Sequence, residues 1–196
     1  MTPLLKLSHL IDGLTEFVAK CTIWLILIVV LISAGNAIMR YTIHYSSNAW
    51  LEIQWHLFAA IFMLMAGYAL LKNAHVRIDL IYGRLSPKTQ AWIDIIGTLL
   101  FLTPMVLTTI WLSLPLIENS IAINEQSANA GGLPLWHVKT LLPIGLGLLQ
   151  LQAISELIKR IGFLTGHAPD PNHKAHEPTP EEELVAALKA QKGDQA

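Results

Sequence analysis

Four long stretches of this chain contain no Lys, Arg, Asp or Glu. They lie between Lys20 and Arg40, Glu52 and Lys72, Asp94 and Glu118, and Lys139 and Glu156. A helix rises about 1.5 Å per residue, so roughly 20 residues cross a hydrocarbon core about 30 Å thick. The first three stretches have that length, and Lys139 can complete the fourth by extending its ammonium group to the interface. The sequence therefore predicts an all-α integral membrane protein with four transmembrane helices, at about 20–39, 50–71, 92–116 and 136–158.

The composition agrees with a membrane protein and excludes some functions. Hydrophobic residues make up 53% of the chain and charged residues 14%, whereas ordinary globular proteins have about 25% charged residues. A net charge of −1 argues against binding to nucleic acid. Cys21 is the only cysteine, so no disulfide can form within the chain.

The two terminal segments differ from the predicted membrane domain at 20–165. Residues 1–19 carry apolar side chains at helical spacing, namely Leu4, Leu7, Ile11, Leu14 and Val18. This pattern predicts an amphipathic helix lying on the membrane before the first span, with a disordered leader as the alternative. Residues 166–196 begin with a run rich in proline and histidine and continue into an acidic segment, which predicts a flexible cytoplasmic tail.

The positive charges that flank the spans predict the orientation of the chain. Eight lie in the N-terminal segment, the central connection and the segment after the fourth span: Lys6, Lys20, Lys72, Arg77, Arg84, Lys88, Lys159 and Arg160. The other two connections contain only Arg40 and Lys139. The excess of positive charge on cytoplasmic loops then predicts that both termini and the central connection are cytoplasmic.

Polar residues near a membrane span are the candidates for a functional site. Glu52 and His56 are four residues apart, so they share one helical face, and Trp55 is adjacent. This group is interpreted as a contact with a partner helix or subunit, and a solvated glutamate at the interface is the alternative. A metal site would need more converging ligands than the sequence identifies.

The pattern of motifs argues against an enzyme and against a cofactor. Haem held by two histidines needs both inside the membrane on facing helices, and His56 is the only histidine that does not lie at or beyond the end of a predicted span. The sequence contains no glycine-rich phosphate loop and no nucleophile with a neighbouring base. We therefore expect neither catalysis nor a bound cofactor.

Two segments resemble a known family of membrane proteins. The run 75–79 (HVRID) follows a span that opens with Glu52 and Trp55, and the loop 124–127 (NEQS) leads into 131–136 (GGLPLW). Both resemble the small membrane subunit, the DctQ type, of tripartite ATP-independent periplasmic (TRAP) transporters. The loop is similar to the corresponding loop in the branch of the family that is labelled for mannitol or chloroaromatic transport. The resemblance covers about residues 15–162, and the C-terminal tail departs from it.

The resemblance implies a function for the whole chain. In that family a large permease subunit binds substrate and sodium and moves as an elevator, and a soluble periplasmic binding protein delivers the substrate, usually an organic acid. The small subunit packs beside the permease in the bacterial inner membrane as a rigid scaffold.

Roles for individual residues follow from the resemblance as hypotheses. Glu52, Trp55 and His56 would contact the large subunit. The central connection would be braced by His75, Arg77 and Asp79. The binding protein would be contacted by Gly131, Gly132, Leu133 and Pro134.

Two other functions remain open at this point. The chain could be the membrane anchor subunit of a redox complex, with or without haem, or a small transporter that works as an oligomer. A Soret band in the purified protein would favour the anchor, and transport by this chain alone in liposomes would favour the oligomer.

Overall fold

The regular elements of this chain are long helices. The computed structural model describes residues 2–44, 47–73, 82 and 85–169. Its helices are α1 (Thr2–Thr42), α2 (Asn48–Leu71), α3 (Pro87–Gly97), α4 (Thr103–Ala122) and α5 (Trp136–Leu164), with a π-helical turn at Thr98–Leu102 between α3 and α4. Within these described residues, four segments are long and apolar enough to cross a membrane: Pro3–Thr42, Asn48–Leu71, Pro87–Ala122 and Trp136–Leu164. The prediction of an all-α membrane protein with four spans is confirmed.

Helix α1 differs from its prediction because it is a single helix of 41 residues. No break separates the segment 1–19 from the first span. In the first half of α1 the buried side chains recur every three or four residues and are mostly small or polar: Ser8, Ile11, Thr15, Ala19 and Thr22. The stripe of leucines that predicted a separate helix is largely exposed instead. The small side chains let α5 approach α1 closely. This packing lies on both sides of residue 19, so α1 continues as a helix there.

The third span contains the predicted N-cap and a deformation at its proline. The Ser86 hydroxyl accepts a hydrogen bond from the Thr89 backbone N–H at 3.3 Å, and Pro87 occupies the first turn, as predicted. Pro104 has no N–H and its ring would collide with a carbonyl of the preceding turn in a regular helix. The π-helical turn directly before it widens the helix at that point, so the span continues through Pro104.

Helix α5 is the central helix of the bundle and packs against each of the other four helices. Its closest approach is to α2, where glycines allow backbones to meet. A Cβ on Gly145 would lie 2.5 Å from Met63 Cβ, and one on Gly67 would lie 3.3 Å from the Leu148 carbonyl oxygen. Val106, Leu146 and Leu149 form the buried core between α4 and α5.

Two predicted features fall outside the described residues. His75, Arg77 and Asp79 belong to the segment 74–81, and most of the predicted tail lies beyond residue 169. The brace in the central connection and the flexible tail therefore stay predictions.

Candidate functional site

The connection between α4 and α5 is a folded loop with internal hydrogen bonds. Gln126 and Pro134 form an isolated antiparallel bridge. Beside it, the Ser127 N–H donates to the Leu133 carbonyl and the Leu135 N–H to the Glu125 carbonyl, both at 3.0 Å. We call residues 124–135 the outer loop, after its predicted side of the membrane.

Two glycines permit the tight turn at the tip of the outer loop. Gly131 has φ +71°, a left-handed conformation that glycine adopts without strain. A Cβ on Gly132 would lie 2.5 Å from Ser127 Cβ, so only glycine fits there without movement of the loop. The residues 128–131 at the tip are exposed.

Glu52 in the first turns of α2 attaches the outer loop to the bundle. Its Oε1 accepts hydrogen bonds from the Ser127 hydroxyl and from Asn129 Nδ2, the latter at 2.8 Å. Its Oε2 accepts from the Leu133 backbone N–H at 2.6 Å. Asn48, one turn earlier, donates to the Ala130 carbonyl at 3.1 Å. Hydrogen bonds to a charged carboxylate are stronger than neutral ones, so Glu52 determines where the loop lies.

A groove of about 670 Å³ opens beside this attachment. Glu52, His56, Ser127 and Asn129 provide polar groups along it, and Trp55 forms part of its edge. Trp55 is 77% exposed, and Phe58 and Phe62 on the same helix are 62% and 72% exposed. The structure thus brings together two groups that the sequence predicted separately: the Glu52, Trp55 and His56 group, and the loop at 131–134.

A second charge contact fixes the base of the outer loop. Lys139 on α5 forms a salt bridge with Glu125 at the start of the loop. The hydrogen bond from Lys139 holds the pKa of the Glu125 carboxyl below its ordinary value of 4.5. The sequence predicted that Lys139 extends its ammonium group to the membrane interface. In the structure this group pairs with Glu125.

The opposite end of the bundle contains a buried ionic cluster that sequence reasoning missed. Arg160 on α5 is only 3% exposed and contacts Asp94 of α3 at 2.9 Å through Nε and 2.8 Å through Nη2. The same guanidinium contacts Glu156 one turn earlier. Tyr82 donates its hydroxyl hydrogen to Asp94. Arg160 therefore joins α5 to α3 and to the end of the central connection.

The cluster continues from α5 to α1. Asp12 accepts hydrogen bonds from Gln152 Nε2 at 2.8 Å and from the Ser155 hydroxyl at 2.7 Å, and it forms a salt bridge with Lys159 at 3.2 Å. Gln152 is fully buried and its Oε1 accepts from the Thr15 hydroxyl at 2.7 Å. We call these residues, together with Asp94, Glu156 and Arg160, the inner cluster.

The comparison with protein families identifies the chain. A family model described as "Tripartite ATP-independent periplasmic transporters, DctQ component" matches residues 28–162. This match covers more than half of the chain and includes the outer loop, Glu52, Asp94 and Arg160. The chain belongs to the DctQ family. Comparison with curated proteins gives no match.

Membership of the DctQ family decides between the functions that the sequence left open. The chain is the small membrane subunit of a TRAP transporter, which is a multi-pass component of a transport system and not a member of an enzyme family. The predicted resemblance is confirmed at this level, and the alternative of a redox anchor receives no support. Assignment to the mannitol or chloroaromatic branch stays a prediction.

The inner cluster of this DctQ chain was missed for a physical reason. Lys159 and Arg160 were interpreted only as cytoplasmic flanking charges, and Asp94 only as the boundary of a charge-free stretch. The spacing of Glu156 and Arg160, four residues apart on one helix face, was the available signal. The pairing of Arg160 with Asp94 and of Lys159 with Asp12 required knowledge of which helices are neighbours.

Among the described residues, no group of three or more His, Cys, Asp or Glu side chains is placed to hold a metal ion.

Proposed function

We propose that this chain is the fixed scaffold subunit of a sodium-coupled, binding-protein-dependent secondary transporter for organic acids in the bacterial inner membrane. It packs against a large permease subunit that moves as an elevator, and both of its own termini lie in the cytoplasm. The observation that carries the proposal is the attachment of the outer loop to α2 through the three hydrogen bonds that Glu52 accepts. The attachment gives this DctQ chain an outer surface of fixed shape. The helices behind that surface are themselves fixed to each other.

A scaffold must resist the forces that a moving partner applies at both sides of the membrane. At the outer end, Glu52 and Lys139 attach the loop to α2 and α5. At the inner end, Asp12, Asp94 and Arg160 join α1, α3 and α5. Charge pairs of this kind resist sliding because displacement would leave a buried charge without a partner.

The groove and the aromatic face of α2 form the surface proposed for the large subunit. Trp55, Phe58 and Phe62 recur every three or four residues and project from one face of the helix. Aromatic residues are enriched at the centres of protein interfaces, and His56 and Glu52 add polar groups at the outer edge. These features support a contact with the permease at this face.

The tip of the outer loop is the surface proposed for the periplasmic binding protein. Residues 128–131 are exposed. They are held in place by the bridge at Pro134 and by the backbone hydrogen bonds of Leu133 with Ser127 and of Gly132 with Asn129. A loop held at its base is preorganised, so binding does not require it to be ordered first.

Uptake measurements test the proposed role of the outer loop. Cells that express this chain with its large permease and binding protein are assayed for sodium-dependent uptake of a panel of radiolabelled organic acids. We expect the paired substitution Gly132→Val and Leu133→Ala to abolish most uptake while the subunits still co-purify. Gly147→Ala serves as the control, since a Cβ there meets no atom within 4 Å. Unchanged uptake at normal expression would remove the loop from the mechanism.

The proposed dependence on the large subunit is tested separately. The purified chain alone in liposomes is expected to transport none of the same acids, and co-reconstitution with the permease is expected to restore uptake. Transport by this chain alone would contradict the scaffold function and favour a self-sufficient oligomer.

A further inference from the structure

The groove beside the outer loop has both polar and apolar walls, and its volume is about 670 Å³. Its polar side chains are those of Asn48, Glu52 and His56 on α2 and of Ser127 and Asn129 in the outer loop. Apolar side chains, mainly from α2 and α5, line the rest. An occupant that matches both walls carries a polar group at the end of an apolar stem.

The donor atoms on the polar wall already have acceptors within this chain. The Ser127 hydroxyl and Asn129 Nδ2 donate to Glu52 Oε1. Asn48 Nδ2 donates to the Ala130 carbonyl at 3.1 Å. The donors that remain for an occupant are the second hydrogen of each amide and one N–H of the His56 ring.

Oxygen atoms provide the larger part of the free hydrogen-bonding capacity. Within the described part of the chain, Asn48 Oδ1 and Asn129 Oδ1 accept no hydrogen bond. Glu52 Oε2 accepts only one, from the Leu133 N–H at 2.6 Å. Each of these oxygens has two lone pairs, so together they can accept five further hydrogen bonds. The polar wall therefore fits an occupant that donates several hydrogen bonds.

The groove also carries a negative charge that no lysine or arginine of the described residues pairs with. The three groups that donate to Glu52 are a hydroxyl, a side-chain amide and a backbone N–H, and all are neutral. Lys139 on α5 pairs with Glu125 instead. An ionised side chain in a membrane span is costly without a partner, so a cation that enters the groove gains a favourable interaction.

A basic side chain has both properties that the groove requires. The methylene stem of lysine or arginine packs along apolar surface while its charged end stays with polar groups. An ammonium group has three donors and a guanidinium group five, and neither accepts a hydrogen bond. Trp55 is 77% exposed beside the groove, and its ring attracts a cation that lies over its face.

We propose that the groove receives a lysine or arginine side chain of the large permease subunit, an inference that rests on the function proposed above. Its charged end donates to Glu52 Oε2 and to the amide oxygens of Asn48 and Asn129, and its stem lies against Trp55. Because Asn129 belongs to the outer loop, the site is complete only while Glu52 holds that loop. The outer loop then takes part in binding the permease as well as the binding protein.

Charge at position 56 tests this site without removing the hydrogen bonds that hold the loop. His56→Lys places a cation beside the acceptors, His56→Glu adds an anion, and His56→Gln is the neutral reference. The same three substitutions at Asn119, which is exposed at the end of α4 nearest the outer loop, form the control series. Dissociation constants of each full chain for the large permease are measured in lipid-free detergent at low and high salt.

The expected dissociation constants at position 56 rise in the order Glu, Gln, Lys, with about a tenfold difference between the first and the last. High salt should reduce the difference because it screens charge. The series at position 119 should show no such order. Chemical modification of lysine and arginine should find one basic residue of the permease protected in the wild-type complex and exposed with His56→Lys.

Hydrogen exchange at the Ser127 and Leu133 amides verifies that the loop stays attached in each variant. If the glutamate at position 56 releases the loop, the comparison of His56→Gln with His56→Lys decides alone. Equal dissociation constants for that pair, or the same order at position 119, would overturn the proposal. An order at position 56 that appears only after addition of phosphatidylethanolamine would also overturn it and assign the groove to a lipid headgroup.

A photocrosslinking probe in place of Trp55 separates this inference from the proposed function. Crosslinking to the permease together with dissociation constants that ignore charge at position 56 would refute the basic side chain alone. Absence of both crosslinking and complex formation would refute the contact with the permease at this face, and the inference with it.

Discussion

At the scale of single residues, Glu52 has a role that its sequence position only partly predicted. The residue was expected at an interface with a partner, and its carboxylate in fact accepts three hydrogen bonds from the chain's own outer loop. The sequence pointed to Glu52 because a carboxylate near a membrane span is costly without donors. It could not identify the donors, since Ser127 and Leu133 lie more than 70 residues away along the chain.

Substitution of Glu52 tests whether it holds the outer loop. In Glu52→Gln the acceptor is neutral, and one of its two positions becomes an amide donor that cannot accept, either from the Leu133 N–H or from Ser127 and Asn129. We expect hydrogen exchange at the amides of Ser127 and Leu133 to become faster by about tenfold, as for the loss of one hydrogen bond. Glu118→Gln is the matched control because Glu118 is exposed at the same end of the bundle. Equal exchange in the two variants would show that Glu52 does not hold the loop.

The salt bridge at the base of the loop predicts a dependence on pH. The folded-state pKa of Glu125 lies below its ordinary value of 4.5 because of Lys139. The contact therefore contributes stability that is fully present above pH 4.5 and is lost as the pH falls through the lowered pKa. A carbon-13 titration of the Glu125 carboxyl should show a midpoint below 4.5 that moves up towards 4.5 in Lys139→Met. The same midpoint in both proteins would contradict the assigned pair.

Substitution of Arg160 tests whether the inner cluster stabilises the bundle. Arg160→Met leaves Asp94 and Glu156 without their shared cation in a buried position. Breaking a buried ion pair by removing one partner costs about 3–5 kcal/mol, so we expect a large decrease in unfolding free energy. Lys88→Met, at an exposed lysine in the first turn of α3, should change it little. Unfolding in mixed micelles measures both, and similar values would show that the cluster does not stabilise the bundle.

At the scale of helices, the four spans were predictable and their irregularities were not. Charge-free stretches of membrane length define the spans because charges are costly in hydrocarbon. The N-cap at Ser86 was also predictable, since serine followed by proline is a local signal. The continuity of α1 depends on its packing against α5 through Ser8 and Thr15. The π-helical turn before Pro104 is one of several ways in which a helix can accommodate a proline. Neither outcome is determined by the local sequence.

The close contact of α2 with α5 gives a prediction with a built-in control. A Cβ on Gly145 would meet the Met63 Cβ at 2.5 Å and the Met63 carbonyl oxygen at 2.6 Å, whereas one on Gly147 would meet nothing within 4 Å. Gly145→Ala should therefore separate the helices and cost about 1–3 kcal/mol by overpacking. Gly147→Ala should leave the melting temperature unchanged or slightly raised, since alanine favours helix. A decrease of equal size in both variants would refute the proposed contact.

At the scale of the whole molecule, the chain is a helical bundle with polar attachments at both ends and apolar surfaces between them. The outer attachment positions a loop and a groove, and the inner cluster joins α1, α3 and α5. The family is established by the match over residues 28–162, and it places this bundle in a TRAP transporter. The sequence predicted this class because membrane spans and family motifs are local patterns, whereas the inner cluster is produced by tertiary contacts.

The central proposal, that the α2 face is where a fixed scaffold meets the large permease, is tested most directly by photocrosslinking in cells. Benzoylphenylalanine is introduced in place of Trp55, beside the groove, or in place of Trp111, an exposed tryptophan on α4. Both variants are co-expressed with the large permease and the binding protein. We predict that the probe at position 55 crosslinks to the large permease and that the probe at position 111 does not. Crosslinking to the permease from position 111 alone, or from neither position, would contradict the account.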